Sequence, residues 1–123
     1  MAKHNETGQQ GEEIARKLLE EAGFAILETN WRFGRSEVDL IAKEGDILVF
    51  VEVKTRSYDY FGKPEDFVSK KKERLLARAA AEYMRLEEHE WAIRFDVVSV
   101  LMKNENTWEA TLIRDAFFPG VEI

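Results

Sequence analysis

From about Gly8 to Ala22, the apolar residues Ile14, Ala15, Leu18, Leu19 and Ala22 recur at helical spacing and Gly23 follows as a stop, which predicts an amphipathic helix. The periodicity then changes to two. Phe24 to Glu28 reads as a short strand, and two longer β-type runs, about Glu37 to Lys43 and Ile47 to Lys54, flank Glu44-Gly45-Asp46 as a hairpin would. A second helix is predicted over about Ser69 to Glu88, with Leu75, Leu76, Ala79, Ala80, Tyr83 and Leu86 as its buried stripe. Strands over about Ile93 to Met102 and Thr107 to Phe117 complete the pattern. The order α-β-β-β-α-β-β suits an α/β fold with a central mixed five-stranded sheet flanked by helices. With no repeat, no low-complexity tract and only Pro64 and Pro119 as prolines, residues 1–123 are expected to form one domain.

The hairpin gathers the candidate chemistry. A two-residue turn at Gly45-Asp46 pairs positions whose numbers sum to 91, setting Asp39 opposite Glu52 and Glu37 opposite Lys54. Strict alternation then puts residues 37, 39 and 41 on one face with 50, 52 and 54, and Val38, Leu40, Val51 and Val53 on the other. The run Leu48-Val49-Phe50-Val51 marks an interior strand, where Glu52 and Lys54 require compensation for lost hydration. One compensation is an ion pair of Glu52 with Lys54, Lys43 or Arg56 at the sheet end. The other is functional: Asp39 and Glu52 hold a divalent cation while Lys54 faces a phosphate. Hard cations such as Mg²⁺ take carboxylate oxygens plus water, and phosphoryl transfer needs an activated water and neutralised oxyanion charge. A register slip of one residue would scatter the cluster.

Composition narrows the partners. The chain has no cysteine and two histidines, His4 and His89, which excludes disulfides and thiolate or histidine-rich metal sites. No apolar run approaches the roughly 20 residues of a membrane span, and the N-terminus lacks a signal-peptide pattern, so a cytoplasmic protein with no membrane partner is expected. The net charge of −6 opposes binding to nucleic acid, yet its distribution softens the objection. Residues 1–80 hold 14 Lys and Arg against 15 Asp and Glu, whereas residues 81–123 hold 4 against 9. A protein partner for this acidic last third is a second possibility.

Asp39, twelve intervening residues and Glu52-Val53-Lys54 resemble the signature of the restriction-endonuclease-like superfamily. The likeness extends to Gly11-Glu12 with Ala15, Asn30-Trp31-Arg32, Glu37-Val38-Asp39-Leu40-Ile41, Phe50 to Arg56, Phe61-Gly62 and Arg94-Phe95-Asp96-Val97-Val98. Over roughly residues 8 to 100 the chain resembles the YraN-like family of bacterial proteins, usually described as predicted endonucleases and similar to archaeal Holliday-junction resolvases. Ser36 stands where the family generally has Gly, and Val38 where the superfamily often has Pro. The resemblance implies a restriction-endonuclease-like fold, Mg²⁺ with Mn²⁺ as substitute, and an acid at Glu12 that binds the metal directly or through water. It favours Lys71 as a substrate-facing lysine and suggests branched or structured DNA and a homodimer, as resolvases form.

Other readings stay open beside these. Glu12 lies at the edge of the first helix's buried stripe, where it could reach the site or simply be favoured by the helix dipole. Lys72 lies on the second helix's stripe and Lys71 on its flank; either could meet a phosphate or Glu37, or snorkel over the core edge. Arg32, Arg35 and Arg56 are candidate phosphate contacts or solvated charges. Arg94 and Asp96, two apart on one strand, are read as a salt bridge fixing strand pairing. Trp31, Phe33, Tyr58, Tyr60 and Phe61 could stack on bases or cover the sheet. The expected activity is Mg²⁺-dependent cleavage of DNA phosphodiesters. The alternatives are a catalytically weak nuclease-fold scaffold and an RNA-directed nuclease.

Overall fold

The computed structural model describes residues 2–57 and 68–118, with side chains from Gly8 onward. Helix α1 (Ala2–Glu21) precedes β1 (Ala25–Phe33), β2 (Ser36–Glu44) and β3 (Ile47–Ser57); α2 (Lys70–Leu86) then leads into β4 (Ile93–Asn104) and β5 (Thr107–Phe117). The strands form one sheet in chain order, antiparallel throughout except for β3 and β4, which run parallel across the α2 crossover. This is the expected mixed α/β fold. Tyr58, Tyr60 and Phe61-Gly62 lie outside the described residues.

Each helix covers one face of the sheet. Ala15 and Leu19 of α1 pack with Phe24, Leu40, Ala42, Val49, Val51, Val98 and Val100. On the opposite face Leu76, Ala79, Ala80 and Tyr83 of α2 pack with Val38, Ile41, Phe50, Phe95 and Val97. Burial of this continuous apolar layer on both sides of β3 and β4 supplies the main drive to fold. The predicted stripe of α2 departs at two places: Leu86 is 55% exposed, because the helix there ends beyond the sheet, and Glu73 is buried instead. The first strand is also longer than its apolar signal, running to Phe33 and pairing with β2 from Ser36 to Lys43.

The hairpin forms as its turn demands. Glu44 pairs with Ile47 around Gly45, whose φ of 60° suits a residue without Cβ, and the predicted register holds from there to Leu40 opposite Val51. Beyond that pair β2 and β3 part. Val38 packs under α2 with Ile41 and Phe50 while Leu40 packs under α1, so the expected alternation fails at Asp39. Across the ladder on β1, Thr29 pairs with Leu40 and Trp31 with Val38, and the intervening Asn30 is left-handed at φ 51°. Both strands therefore reverse their facing at the same level, and the sheet opens there.

A candidate active site where two strands part

At the opening, the Val53 N–H donates to Asp39 Oδ2 at 2.8 Å. The side chain thereby satisfies a backbone donor left behind when the ladder ends. One residue away on β3, Glu52 is 4% exposed, its Oε1 lying 3.2 Å from Lys54 Nζ and 3.7 Å from Lys72 Nζ of α2. Its Oε2 is buried without a hydrogen-bond partner. An orphaned carboxylate oxygen in a dry position is costly, and a hard cation or a donor on a ligand would offset that cost.

The charges of the acids reach one another. Burial, then the Glu52 charge, push Asp39 up to about 7, against the Val53 hydrogen bond; Glu12 raises it further and Lys72 lowers it. Glu12, half-buried on α1, is also raised, first by burial and then by Glu37 and Glu52. Asn30 opposes that shift. Only an amide NH₂ can face two carboxylates, and oriented so, Asn30 Nδ2 lies 3.3 Å from Glu12 Oε2 and 3.0 Å from Glu37 Oε1. The left-handed backbone at Asn30 aims this side chain toward α1, a conformation that asparagine tolerates better than most residues.

Helix α1 is held close enough for Glu12 to take part because of Gly11. A Cβ at that position would fall well inside van der Waals contact with Thr55 Oγ1, so only glycine permits this approach of α1 to β3. The sequence motif Gly11-Glu12 thus has a physical reading: the first residue permits contact and the second uses it.

Asp39, Glu52 and Lys54 gather as expected, with Glu12 near enough for its charge to be felt. Glu37 differs. It pairs with Arg32 at 2.9 Å and accepts from Asn30 rather than facing Lys54, because β2 has reversed its facing at Asp39. Of the two lysines left open, Lys72 is the one within reach of Glu52, while Lys71 is exposed on the outer side of α2. Arg32 is 75% exposed and held by Glu37; Arg35 is exposed in the turn between β1 and β2; Arg56 is half-buried and donates to the Thr55 carbonyl at 2.9 Å. Trp31 packs edge-on against Tyr83 at 5.2 Å, which makes it sheet cover, and Phe33 is 43% exposed. The residue that strand periodicity missed is Asn30. Its signal was the motif Asn30-Trp31-Arg32 and the tolerance of asparagine for positive φ.

Among the described residues, no three His, Cys, Asp or Glu side chains stand together as a preformed metal cage. The donor set nonetheless fits a hard divalent cation: carboxylate oxygens only, one of them orphaned, with water and a phosphate able to complete the sphere. What fold and site define together is an α/β protein whose mixed sheet opens around buried acids and an adjoining lysine. The chain belongs to the Uncharacterised protein family UPF0102, whose sequence profile matches residues 11–100. Similar relatives include UPF0102 proteins of Christiangramia forsetii, 43% identical over 96% of this chain and 98% of that one. The UPF0102 protein of Bacteroides thetaiotaomicron is 43% identical over 97% and 98%. That of Rhodococcus opacus is 42% identical over 95% and 100%. No described helix is long and apolar enough to cross a membrane.

Proposed function

We propose that this protein is a divalent-cation-dependent endonuclease that hydrolyses phosphodiester bonds in DNA. The observation that carries the reading is the meeting of Asp39, Glu52 and Lys54 where β2 leaves β3, with one Glu52 oxygen buried and unpartnered. Asp39 and Glu52 would hold Mg²⁺ or Mn²⁺, and Glu12 would assist. When bound, such a cation supplies Lewis acidity toward phosphate and water. Asp39 is held in place for this by the Val53 amide, and Glu52 by its two lysines. Lys54, beside Glu52, would offer its ammonium to the developing oxyanion, and Lys72 would add positive charge from the α2 side. Arg32, Arg35, Arg56 and Lys71 would serve as phosphate contacts.

The identification with YraN-like nucleases, and with resolvase-like action on branched DNA in the cytoplasm, rests on the motif resemblance. The test is cleavage of branched, duplex and single-stranded DNA with Mg²⁺ or Mn²⁺. Lys54→Ala should slow cleavage by roughly 10²-fold and Asp39→Ala should abolish it. Activity equal to wild type in both variants would refute the reading.

A second reading, a nuclease-fold scaffold with little catalysis, is favoured by one observation: the excess of acids over cations in residues 81–123 suits a protein partner better than DNA. It predicts DNA or protein binding without cleavage. A homodimer and a protein partner at the acidic last third are compatible with either reading.

A further inference from the structure

Many of the cations described in this acidic protein are neutralised where they stand. Arg16 pairs with Glu13 and Glu20, Arg32 with Glu37, Arg85 with Glu82, and both Arg94 and Arg114 with Glu44. The first half of helix α2 gathers several that are not. It opens Lys70-Lys71-Lys72-Glu73-Arg74 and adds Arg78 a turn later, yet its one early acid, Glu73, is buried and paired with Lys70. Lys71, Arg74 and Arg78, at i, i+3 and i+7, are all exposed on the side opposite Leu76, Ala79 and Tyr83, and none pairs with a described carboxylate. Lys72, beside them in the first turn, touches Glu52.

We propose that the outer face of α2, carried by Lys71, Arg74 and Arg78, is a nucleic-acid track that leads the phosphate backbone to the opening between β2 and β3. This extends the nuclease reading and rests on it for the direction of the track, but the surface is argued from charge alone. Repeating phosphates are the ligand that a row of unpaired cations one helical turn apart fits. An anionic membrane would want large apolar residues beside the cations, and the residues between them here are Leu75, which is half-buried, and Ala77. The track also bears on the charge objection, because a local row of free cations can attract a polyanion to a chain of net charge −6.

The test is fluorescence anisotropy of labelled duplex and single-stranded DNA in EDTA across a salt series, with the full chain and a Lys71→Ala/Arg74→Ala/Arg78→Ala variant. Alanine keeps helix propensity, and circular dichroism with a melting curve checks the fold. Wild type should bind with a log-log salt slope that shrinks by about 2 to 3 in the triple variant, with affinity at low salt falling at least about 10-fold. An unchanged slope in the triple variant, no binding of DNA by wild type, or binding to vesicles of phosphatidylserine in place of DNA would each overturn the proposal. Binding through this face without Mg²⁺- or Mn²⁺-dependent cleavage would leave the track standing and remove the hydrolytic reading. Cleavage that depends on Asp39 with binding indifferent to the three cations would do the reverse.

Discussion

At Asp39 a carboxylate is buried against a second one, and the molecule carries the cost in its pH dependence. Its ordinary value of 3.8 rises to about 7 in the fold, by burial first and then by the Glu52 charge. The folded state therefore binds this proton more tightly than the unfolded chain. Asp39 contributes fully to stability below its ordinary pKa, and the contribution is lost as pH rises through about 7. Asp39→Asn removes the charge and keeps the shape. Urea denaturation across pH should show wild type losing stability between about pH 4 and pH 7 and the variant losing much less, with the variant more stable at about pH 8 by on the order of 2 kcal/mol. Parallel pH profiles would show that this carboxyl titrates normally. Asn30 belongs to the same scale: its amide places two donors between Glu12 and Glu37, which would otherwise repel.

The contact of α1 with β3 decides whether Glu12 belongs to the site. Gly11→Ala would press a methyl into Thr55 and push the helix off the strand, costing roughly 1–3 kcal/mol. Thr55→Ala in the same chain should recover part of that loss, since the two changes share one contact. Simple additivity, seen by thermal melts of the single and double variants, would mean that the clash is relieved elsewhere. The elements show why some of this was legible and some was not. A two-residue turn fixes the hairpin register by arithmetic, so Leu40 could be set opposite Val51 from sequence, with Asp39 and Glu52 the next residue on each strand. The reversal of facing at Asn30 and Asp39 could not, because it depends on β1 continuing past Glu28 to pair with the first residues of β2. It misplaced Val38 and Glu37 together. Lys72 was legible from the apolar stripe that runs through Leu76 and Ala79, and choosing it over Lys71 needed only the position of the helix on the sheet.

Across the whole molecule a charged clamp ties three strands, β2, β4 and β5, together at the end of the sheet away from the site. Arg94 on β4 donates to Asp96 at 2.8 Å and to Glu44 of β2 at 2.7 Å, and Arg114 of β5 reaches the same Glu44 at 2.6 Å. Asp96 is fully buried and also accepts from the Asp115 N–H at 3.0 Å. The expected Arg94–Asp96 pair is thus one part of a larger network spanning β2 to β5. Arg94→Ala should destabilise by roughly 3–5 kcal/mol, because it strands a buried carboxylate; a loss below about 1 kcal/mol in urea denaturation would contradict this. Glu44 is held down to about 2 by Arg114 first and then Arg94. Its contribution is present above its ordinary 4.5 and lost as pH falls through about 2, the opposite sense to Asp39. One end of the sheet is rigidly paired while the other opens around under-compensated acids, an arrangement suited to a scaffold that presents a reactive edge.

The most direct measurement is calorimetric titration of Mn²⁺ into the wild-type chain, Asp39→Asn, Glu52→Gln and Lys54→Ala. Wild type should show one saturable site, each acid variant a loss of at least about 10-fold in affinity, and Lys54→Ala an affinity kept or raised, because a competing ammonium is gone. Binding that is absent in wild type, or unaffected by both acid substitutions, would contradict a cation shared between Asp39 and Glu52.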